Sequence, residues 1–304
     1  MSLLTIGTVA IDSIETPYGK ADRIVGGAAT YISLAASYYT SNIKIVSIIG
    51  EDFPQEELNF LENKGVDTSG VKRIEGEKSF FWSGKYHIDM NSRDTLDTQL
   101  NVLADFNPVL TPSQQESDYL MLGNLTPAIQ MSVLKQMKAR PKITAMDTMN
   151  FWMDTAMDEL KEVITHVDIL TINDEEAKQL SGDKNLSKAA KIILEMGPKY
   201  LIIKKGEHGA LLFDKDNVFF APALPLSQVF DPTGAGDTFA GGMMGYLAGK
   251  GELNFNNLKS AIIHASAMAS FCVEEFGINR LKTLSQNDLD NRLNMFVDLV
   301  HFDL

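Results

Sequence analysis

The chain of 304 residues carries 40 acidic and 27 basic side chains, which gives a formal net charge of −13. No cluster of Lys or Arg interrupts this acidic balance, so nucleic acid and an anionic membrane surface are excluded as expected partners. A hydrophobic content of 44% and a charged content of 22% are ordinary for a soluble globular protein, and the length suits one large α/β domain, 1–304.

The cysteine content and the N-terminal residues predict a location. Cys272 is the one cysteine, so no disulfide can form within the chain, as is usual in a reducing compartment. The first residues, MSLLTIGTVAID, lack the basic segment of a signal peptide, and the longest apolar run, 261–273, is too short to span a bilayer. We therefore expect a cytoplasmic protein.

Strand and helix patterns alternate along most of the chain. Short apolar runs predict buried strands over 3–10, 43–50, 119–123, 142–147, 167–172, 200–204 and 210–213. Helical spacing of apolar residues predicts helices over 28–39, 54–63, 128–138, 154–165, 174–181, 187–196, 255–275 and 285–302. This alternation predicts a doubly wound parallel sheet with helices on both faces, whose ligands bind at the carboxyl ends of the strands.

Residues 79–88 follow a different pattern. One apolar face with a period of two is formed by Phe80, Trp82, Tyr86 and Ile88. No helix pattern intervenes before the polar stretch 89–101. We predict a small β lid over about 13–25 and 75–104. Because such a small β element cannot bury an apolar face alone, the lid should cover the substrate, a second subunit's lid, or both.

The sequence DPTGAGDTFAGGMM, residues 231–244, predicts a glycine-rich turn that leads into a helix. The first turn of a helix has free N–H groups and partial positive charge, so this turn is a candidate anion site. Asp237 lies in the same turn. A carboxylate there suits a base that takes the proton of a hydroxyl attacking a phosphoryl group. The alternative is that Asp237 only stabilises the helix N-terminus.

DPTGAGDTFAGG resembles, position by position, the C-terminal motif of the PfkB family of carbohydrate kinases, also called ribokinase-like kinases. The resemblance covers nearly the whole chain and implies ATP and Mg²⁺ as cofactors, a monovalent cation as a further candidate, and a homodimer through the lid. It implies that Asp237 is the base and that the transferring phosphoryl group is held by Gly234, Ala235 and Gly236.

Other positions match the family's remaining motifs. The resemblance implies acceptor binding by Asp12, Gly26, Gly27 and Tyr31. It implies nucleotide binding by Lys204, Gly206, Gly209, Thr233 and Gly277. Asn173 and Glu176 match an N-x-x-E motif that implies magnesium binding, through water.

Several of these matches have a structural alternative. Asp12 could cap a turn, Gly26-Gly27 could be a turn before a helix, and Asn173 with Glu176 has the spacing of a capping box. Asp147 and Asn150 follow a strand, which is equally consistent with the ligand edge and with a surface turn.

Tyr31 departs from the family, which normally has Asn four residues after the second glycine. We expect its ring to face the acceptor pocket and to disfavour free ribose; the alternative is that it turns into the core.

Other catalytic motifs are absent from the sequence. The five histidines show no H-E-x-x-H spacing, and no G-x-x-x-x-G-K-[ST] loop occurs, so the glycine-rich turn must hold any phosphate. We predict ATP-dependent transfer of the γ-phosphoryl group to a primary hydroxyl of a sugar or sugar-like molecule. The alternatives are a nucleoside kinase and a catalytically silent ligand-binding protein of the same fold.

Overall fold

A computed structural model describes residues 1–303. The strands are β1 (Leu3–Ile6), β2 (Ala10–Thr16), β3 (Gly19–Gly26), β4 (Ile43–Gly50), β5 (Val66–Ile74), β6 (Phe81–Tyr86), β7 (Arg93–Gln99), β8 (Tyr119–Leu122), β9 (Ile143–Asp147), β10 (Ile169–Asn173), β11 (Tyr200–Lys204), β12 (Ala210–Phe213) and β13 (Val218–Ala221). The helices are α1 (Ala28–Ala36), α2 (Gln55–Asn63), α3 (Pro112–Gln115), α4 (Pro127–Gln136), α5 (Asn150–Thr155), α6 (Met157–Ile164), α7 (Asp174–Ser181), α8 (Leu186–Leu194), α9 (Ala235–Lys250), α10 (Phe255–Cys272), α11 (Asn279–Thr283) and α12 (Gln286–Val300).

The main sheet has nine strands in the order β13-β12-β11-β10-β9-β8-β1-β4-β5. All neighbours from β11 to β5 are parallel, whereas β12 and β13 extend one edge in antiparallel pairing. The predicted doubly wound sheet is confirmed. Because the parallel strands share one direction, the turns after β9, β10 and β11 meet at one edge of the sheet.

Helices cover both faces of this sheet. Successive strand residues point to opposite faces, so Leu3 belongs to the apolar layer under α1, α9 and α10, and Leu4 to the layer under α4, α6 and α8. Both side chains are fully buried. Burial on two faces explains why these strands read as continuous apolar runs in the sequence. No helix within residues 1–303 is long and apolar enough to cross a membrane.

Some strands were missed because they carry little apolar signal. The run 3–10 divides into β1 and the start of β2, and residues 13–25, predicted as part of the β lid without strand bounds, complete β2 and form most of β3. The polar stretch 89–101 contains β7, whose residues are all exposed. Strands exposed on both faces have no alternation of apolar and polar residues to detect.

The small sheet has the order β3-β2-β6-β7, with β2 and β6 parallel and the outer pairs antiparallel. Its expected apolar face is only partly correct. Tyr86 is buried and Trp82 is half-buried, but Ile88 lies beyond the end of β6 and is 91% exposed. The apolar face therefore ends at Tyr86.

Helices α1 and α9 approach each other at backbone distance. A Cβ atom on Gly241 would overlap the carbonyl oxygen of Ile32, and one on Gly245 would lie 2.7 Å from Cα of Ala36. These glycines let α9 lie flat on α1, which fixes where the N-terminus of α9 lies.

Gly241→Ala should therefore destabilise the protein by about 1–3 kcal/mol, because the added methyl group meets backbone that cannot move aside. Gly242→Ala is the matched control: its nearest atoms are 3.1 Å away and include the flexible Met268 side chain. The gain in helix propensity is the same for both variants. Urea unfolding midpoints give the comparison, and equal midpoints would contradict the packing argument.

Candidate active site

The glycine-rich turn lies at the sheet edge where the parallel strands end. Gly234 has a φ of 75° and caps α9, which begins at Ala235. Asp237 follows in the first turn of the helix. The ammonium nitrogen of Lys204, at the end of β11, lies 3.2 Å from the position that a Cβ on Gly236 would take. A cation and free helical N–H groups therefore lie side by side, as an anion site requires.

A buried ion pair holds Lys204 in this position. Its Nζ lies 2.7 Å from Oδ2 of Asp147, and the Asp147 side chain is 8% exposed. Burial disfavours the Lys204 charge, but the nearby Asp147 and Glu176 outweigh it and raise the pKa of Lys204. Asp147 thus lies at the edge of the sheet where ligands are expected. The surface-turn alternative fits Asn150, which is partly exposed and donates a hydrogen bond to Gln179.

Asp237 has the character of a proton acceptor. Burial raises the pKa of Asp237 to about 7, and the Asp147 charge adds to the shift, whereas Lys204 and Arg93 oppose it. A carboxylate with a pKa near the working pH combines a useful ionised fraction with a real affinity for a proton.

Asp12 lies in β2 and is 5% exposed. A Cβ atom on Gly26 would overlap its carboxylate, so Gly26 is required for this close approach. Burial raises the pKa of Asp12 to about 8, and the charges of Asp231 and Asp237 contribute. Gly27 has a φ of 94°, and a Cβ there would lie 2.5 Å from the carbonyl oxygen of Thr8. The diglycine therefore brings Asp12 towards Asp237 as well as opening α1.

Asp231 fixes the turn to the rest of the protein. This fully buried carboxylate accepts the N–H of Thr233 at 2.9 Å and the N–H of Gly277 at 3.0 Å. Asp231 is the first residue of the DPTGAGD motif, and no role was predicted for it. Its position six residues before Asp237, within one motif, is the signal that could have assigned it a structural role.

The expectation that Tyr31 faces the acceptor pocket is wrong. Its side chain is 1% exposed, and its hydroxyl has no hydrogen-bond partner within residues 1–303. The ring packs directly under Gly234, where a Cβ would overlap it. Because Gly234 has no side chain, the ring can occupy this position in the core. Tyr31 supports the turn from below.

The capping box predicted as an alternative for Asn173 and Glu176 is present. Glu176 N–H donates to Asn173 Oδ1 at 2.8 Å, and Asn173 N–H donates to Glu176 Oε2 at 2.7 Å. Capping does not explain why Glu176 is buried beside Asp147 and Lys204. Burial raises the pKa of Glu176 to about 7, with Lys204 opposing and Asp147 adding to the shift.

Magnesium fits this position only with help from other ligands. Among residues 1–303, no group of three or more His, Cys, Asp or Glu side chains is arranged to hold a metal ion. The cap uses Oε2 of Glu176, which leaves Oε1 free. Carboxylate and amide oxygens suit Mg²⁺, which keeps several waters and binds substrate phosphates. Asn173 and Glu176 fit such a partial set.

Two further segments border the turn. Gly206 and Gly209 flank the tight connection between β11 and β12, closed by a 2.8 Å hydrogen bond from Lys205 N–H to the Gly209 carbonyl. From the small sheet, the Tyr86 hydroxyl accepts a hydrogen bond from Oγ1 of Thr233 at 3.2 Å. The small sheet therefore touches the glycine-rich turn, a contact that no local sequence pattern predicts.

Comparisons with known proteins identify the family and the fold of this chain. A family model described as pfkB family carbohydrate kinase matches residues 2–283. The cytidine kinase of Thermococcus kodakarensis is 31% identical over 255 residues, 82% of this chain and 90% of that protein. The crystal structure of a nucleoside kinase from Methanocaldococcus jannaschii, 22% identical, has a TM-score of 0.77 and covers 97% of this chain and 98% of that one.

A further solved structure, a putative ribokinase II from E. coli in complex with ATP and Mg²⁺, is 19% identical. Its TM-score is 0.79, with coverage of 98% of this chain and 99% of that one. These structures share the fold, and the family match spans most of the chain. The chain therefore belongs to the pfkB family of carbohydrate kinases and is an ATP-dependent sugar or nucleoside kinase.

Proposed function

We propose that the γ-phosphoryl group of ATP passes to a primary hydroxyl of the acceptor while Asp237 takes the hydroxyl proton. The observation that carries this proposal is the position of Asp237. It is a carboxyl group of raised pKa in the first turn of α9, beside the glycine-rich turn and Lys204. The bond from the acceptor oxygen to phosphorus forms, the bond to the bridging oxygen breaks, and ADP leaves.

The surrounding residues supply positioning and charge. The backbone N–H groups of Gly234, Ala235 and Gly236 would hold the transferring phosphoryl group at the positive end of α9. Asp12, approached closely by Gly26 beside Gly27, would accept hydrogen bonds from acceptor hydroxyls. The nucleotide would lie against Lys204, Gly206, Gly209, Thr233 and Gly277.

Asn173 and Glu176 would hold Mg²⁺ through water, because Oε1 of Glu176 is not used by the cap and Oδ1 of Asn173 keeps a second lone pair. When bound, this ion supplies positive charge that offsets the charge of the nucleotide phosphates. The residues of the chain would orient the acceptor, hold the phosphoryl group and accept one proton.

We propose a nucleoside as the acceptor. A relative 31% identical to this chain is a cytidine kinase, and another, from Methanothermobacter thermautotrophicus, is a nucleoside kinase. The small sheet also offers the half-buried Trp82, on the same face of β6 as Tyr86, whose flat ring could stack on a base.

A panel of nucleosides and free sugars, assayed for ADP formation, tests this proposal. We expect at least one nucleoside to give a kcat/KM about tenfold or more above that of ribose, because stacking of a base adds about 1–3 kcal/mol of binding energy. A higher kcat/KM for a free hexose or ribose would contradict the nucleoside assignment and leave the kinase activity in place.

We further propose that 1–304 forms one catalytic domain, that the enzyme acts in the cytoplasm, and that two copies associate through their small sheets. Strand β7 is exposed along its length and is an unpaired edge. Leu96 and Leu100, on and just after this strand, are each more than half exposed. An exposed edge with apolar side chains favours association.

Asp237→Asn should lower kcat by about 10²–10⁴-fold, because the amide cannot accept the hydroxyl proton. The affinity for ATP, measured by calorimetry without acceptor, should change little. Near-normal turnover with an intact fold would remove Asp237 from the mechanism.

The wild-type pH profile gives an independent check. The base must be ionised, and the pKa of Asp237 is raised to about 7. We therefore expect kcat/KM to fall as the pH drops below about 7, with a slope of one. A profile flat down to pH 5 would contradict the assignment.

Glu176→Gln separates capping from magnesium binding. The amide can still accept the Asn173 N–H, so as a cap the variant should lose no more than about 1 kcal/mol of stability. If Glu176 also orders the metal shell, the Mg²⁺ concentration for half-maximal activity should rise. A magnesium titration that matches the wild type would leave Glu176 with the capping role alone.

A further inference from the structure

The site contains far more negative than positive charge. Five buried or half-buried carboxylates lie around the glycine-rich turn: Asp12, Asp147, Glu176, Asp231 and Asp237. Lys204 is the cation among them, and its charge is already paired with Asp147 at 2.7 Å. The transferring phosphoryl group would add more negative charge. Beyond the proposed Mg²⁺, a cation that is not already paired with a carboxylate would stabilise the charge that develops on the phosphoryl group.

The small sheet supplies such a cation. Arg93 begins β7 and pairs directly with Tyr86 in β6. Residues that pair across an antiparallel ladder project from the same face of the sheet. Arg93 therefore lies on the face from which the Tyr86 hydroxyl reaches Thr233. Its guanidinium lies 5.9 Å from the centre of the Trp82 ring on the same sheet.

A second contact shows how far the β6–β7 connection reaches. A Cβ atom on Gly206 would lie 2.8 Å from Oδ1 of Asn91, two residues before Arg93. Arg93 thus lies in a short segment that touches the glycine-rich turn at Thr233 and the β11–β12 connection at Gly206. In the proposed reaction the phosphates of the nucleotide would lie between Thr233 and Gly206.

Arg93 lies close enough for its charge to act on carboxyl groups of the site. The Arg93 charge acts to lower the pKa of both Asp237 and Glu176, although these residues lie on α9 and α7. Within residues 1–303, Arg93 has no carboxylate partner within salt-bridge distance, and its guanidinium is exposed. The guanidinium is therefore available to bind an anion with two parallel hydrogen bonds.

We propose that Arg93 is a further catalytic residue, whose guanidinium binds the transferring phosphoryl group from the side opposite the N–H groups of α9. The proposal rests on the proposed transfer at Asp237 and adds a second source of positive charge to it. When the small sheet lies over the substrates, Arg93 stabilises charge on the phosphoryl oxygens as the bond to the bridging oxygen breaks.

The test compares Arg93→Gln with Lys85→Gln. Lys85 is a lid cation on β6 whose ammonium pairs with Glu15 and is half exposed, so its loss removes the same charge without touching the turn. Arginines that contact a transferring phosphoryl group contribute about 10³–10⁵-fold to kcat. We expect Arg93→Gln to lower kcat at least 100-fold with ATP affinity changed no more than about threefold, and Lys85→Gln to keep wild-type kcat.

Three measurements separate charge stabilisation from a structural role. Arg93→Lys should recover little activity, because an ammonium cannot bond two oxygens in one plane, and added guanidinium ion should partly restore Arg93→Ala. In addition, the acidic limb of kcat/KM should move to higher pH in Arg93→Gln, because the charge that lowers the pKa of Asp237 is gone.

A kcat of Arg93→Gln within threefold of the wild type would overturn the proposal, and so would an effect limited to the KM of the acceptor. An equal loss in Lys85→Gln would also overturn it, by showing a general charge effect. Wild-type turnover in the same assay separates failure of this proposal from failure of the proposed function. If the wild type turns over, an Arg93→Gln variant with wild-type kcat refutes the role of Arg93 alone. A kcat unchanged by Asp237→Asn refutes the proposed transfer mechanism.

Discussion

The buried pair of Lys204 and Asp147 is the interaction on which the site depends. Removing both charges from water is costly, and it is offset only when the pair is well formed and its remaining polar atoms are satisfied. The Asp147 carboxylate also accepts the Thr148 N–H at 2.9 Å. Loss of either partner would leave an uncompensated charge next to Glu176 and Asp237. The pair joins the ends of β9 and β11 to the start of α9.

This arrangement explains how an acidic chain can bind a polyanion. The overall charge of −13 repels a nucleotide, so recognition must come from local features. The helix N-terminus, the fixed Lys204 and the proposed contribution of Arg93 would act at short range, where the surrounding low dielectric strengthens them. Burial, with a contribution from neighbouring carboxylates, raises the pKa of Asp12 to about 8 and that of Asp237 to about 7.

Much of the fold could be predicted from the sequence, because strands buried on two faces and amphipathic helices leave strong patterns. The DPTGAGD motif predicted its turn and helix for the same reason: proline, glycine and helical spacing act locally. Asp147 and Asp231 were harder to assign. Each follows an extended segment, and only the assembled sheet shows that both point towards one edge.

The remaining features depend on contacts between distant segments. Tyr31 lies under Gly234 because of a space that exists only after α1 and α9 pack. Arg93 lies in an exposed edge strand without periodicity, and the role proposed for it rests on its pairing with Tyr86. A single sequence shows neither the space under Gly234 nor the pairing of Arg93 with Tyr86.

The close packing of α1 against α9 also has a consequence for motion. A helix that touches its neighbour through backbone atoms at Gly241 and Gly245 cannot slide or tilt without opening voids or collisions. Tyr31 holds the start of that helix from beneath, and Asp231 ties the preceding turn to Gly277. We therefore expect the glycine-rich turn to keep its position. Any movement that admits substrates in the proposed reaction would then involve the small sheet, whose Tyr86 hydroxyl accepts a hydrogen bond from Thr233.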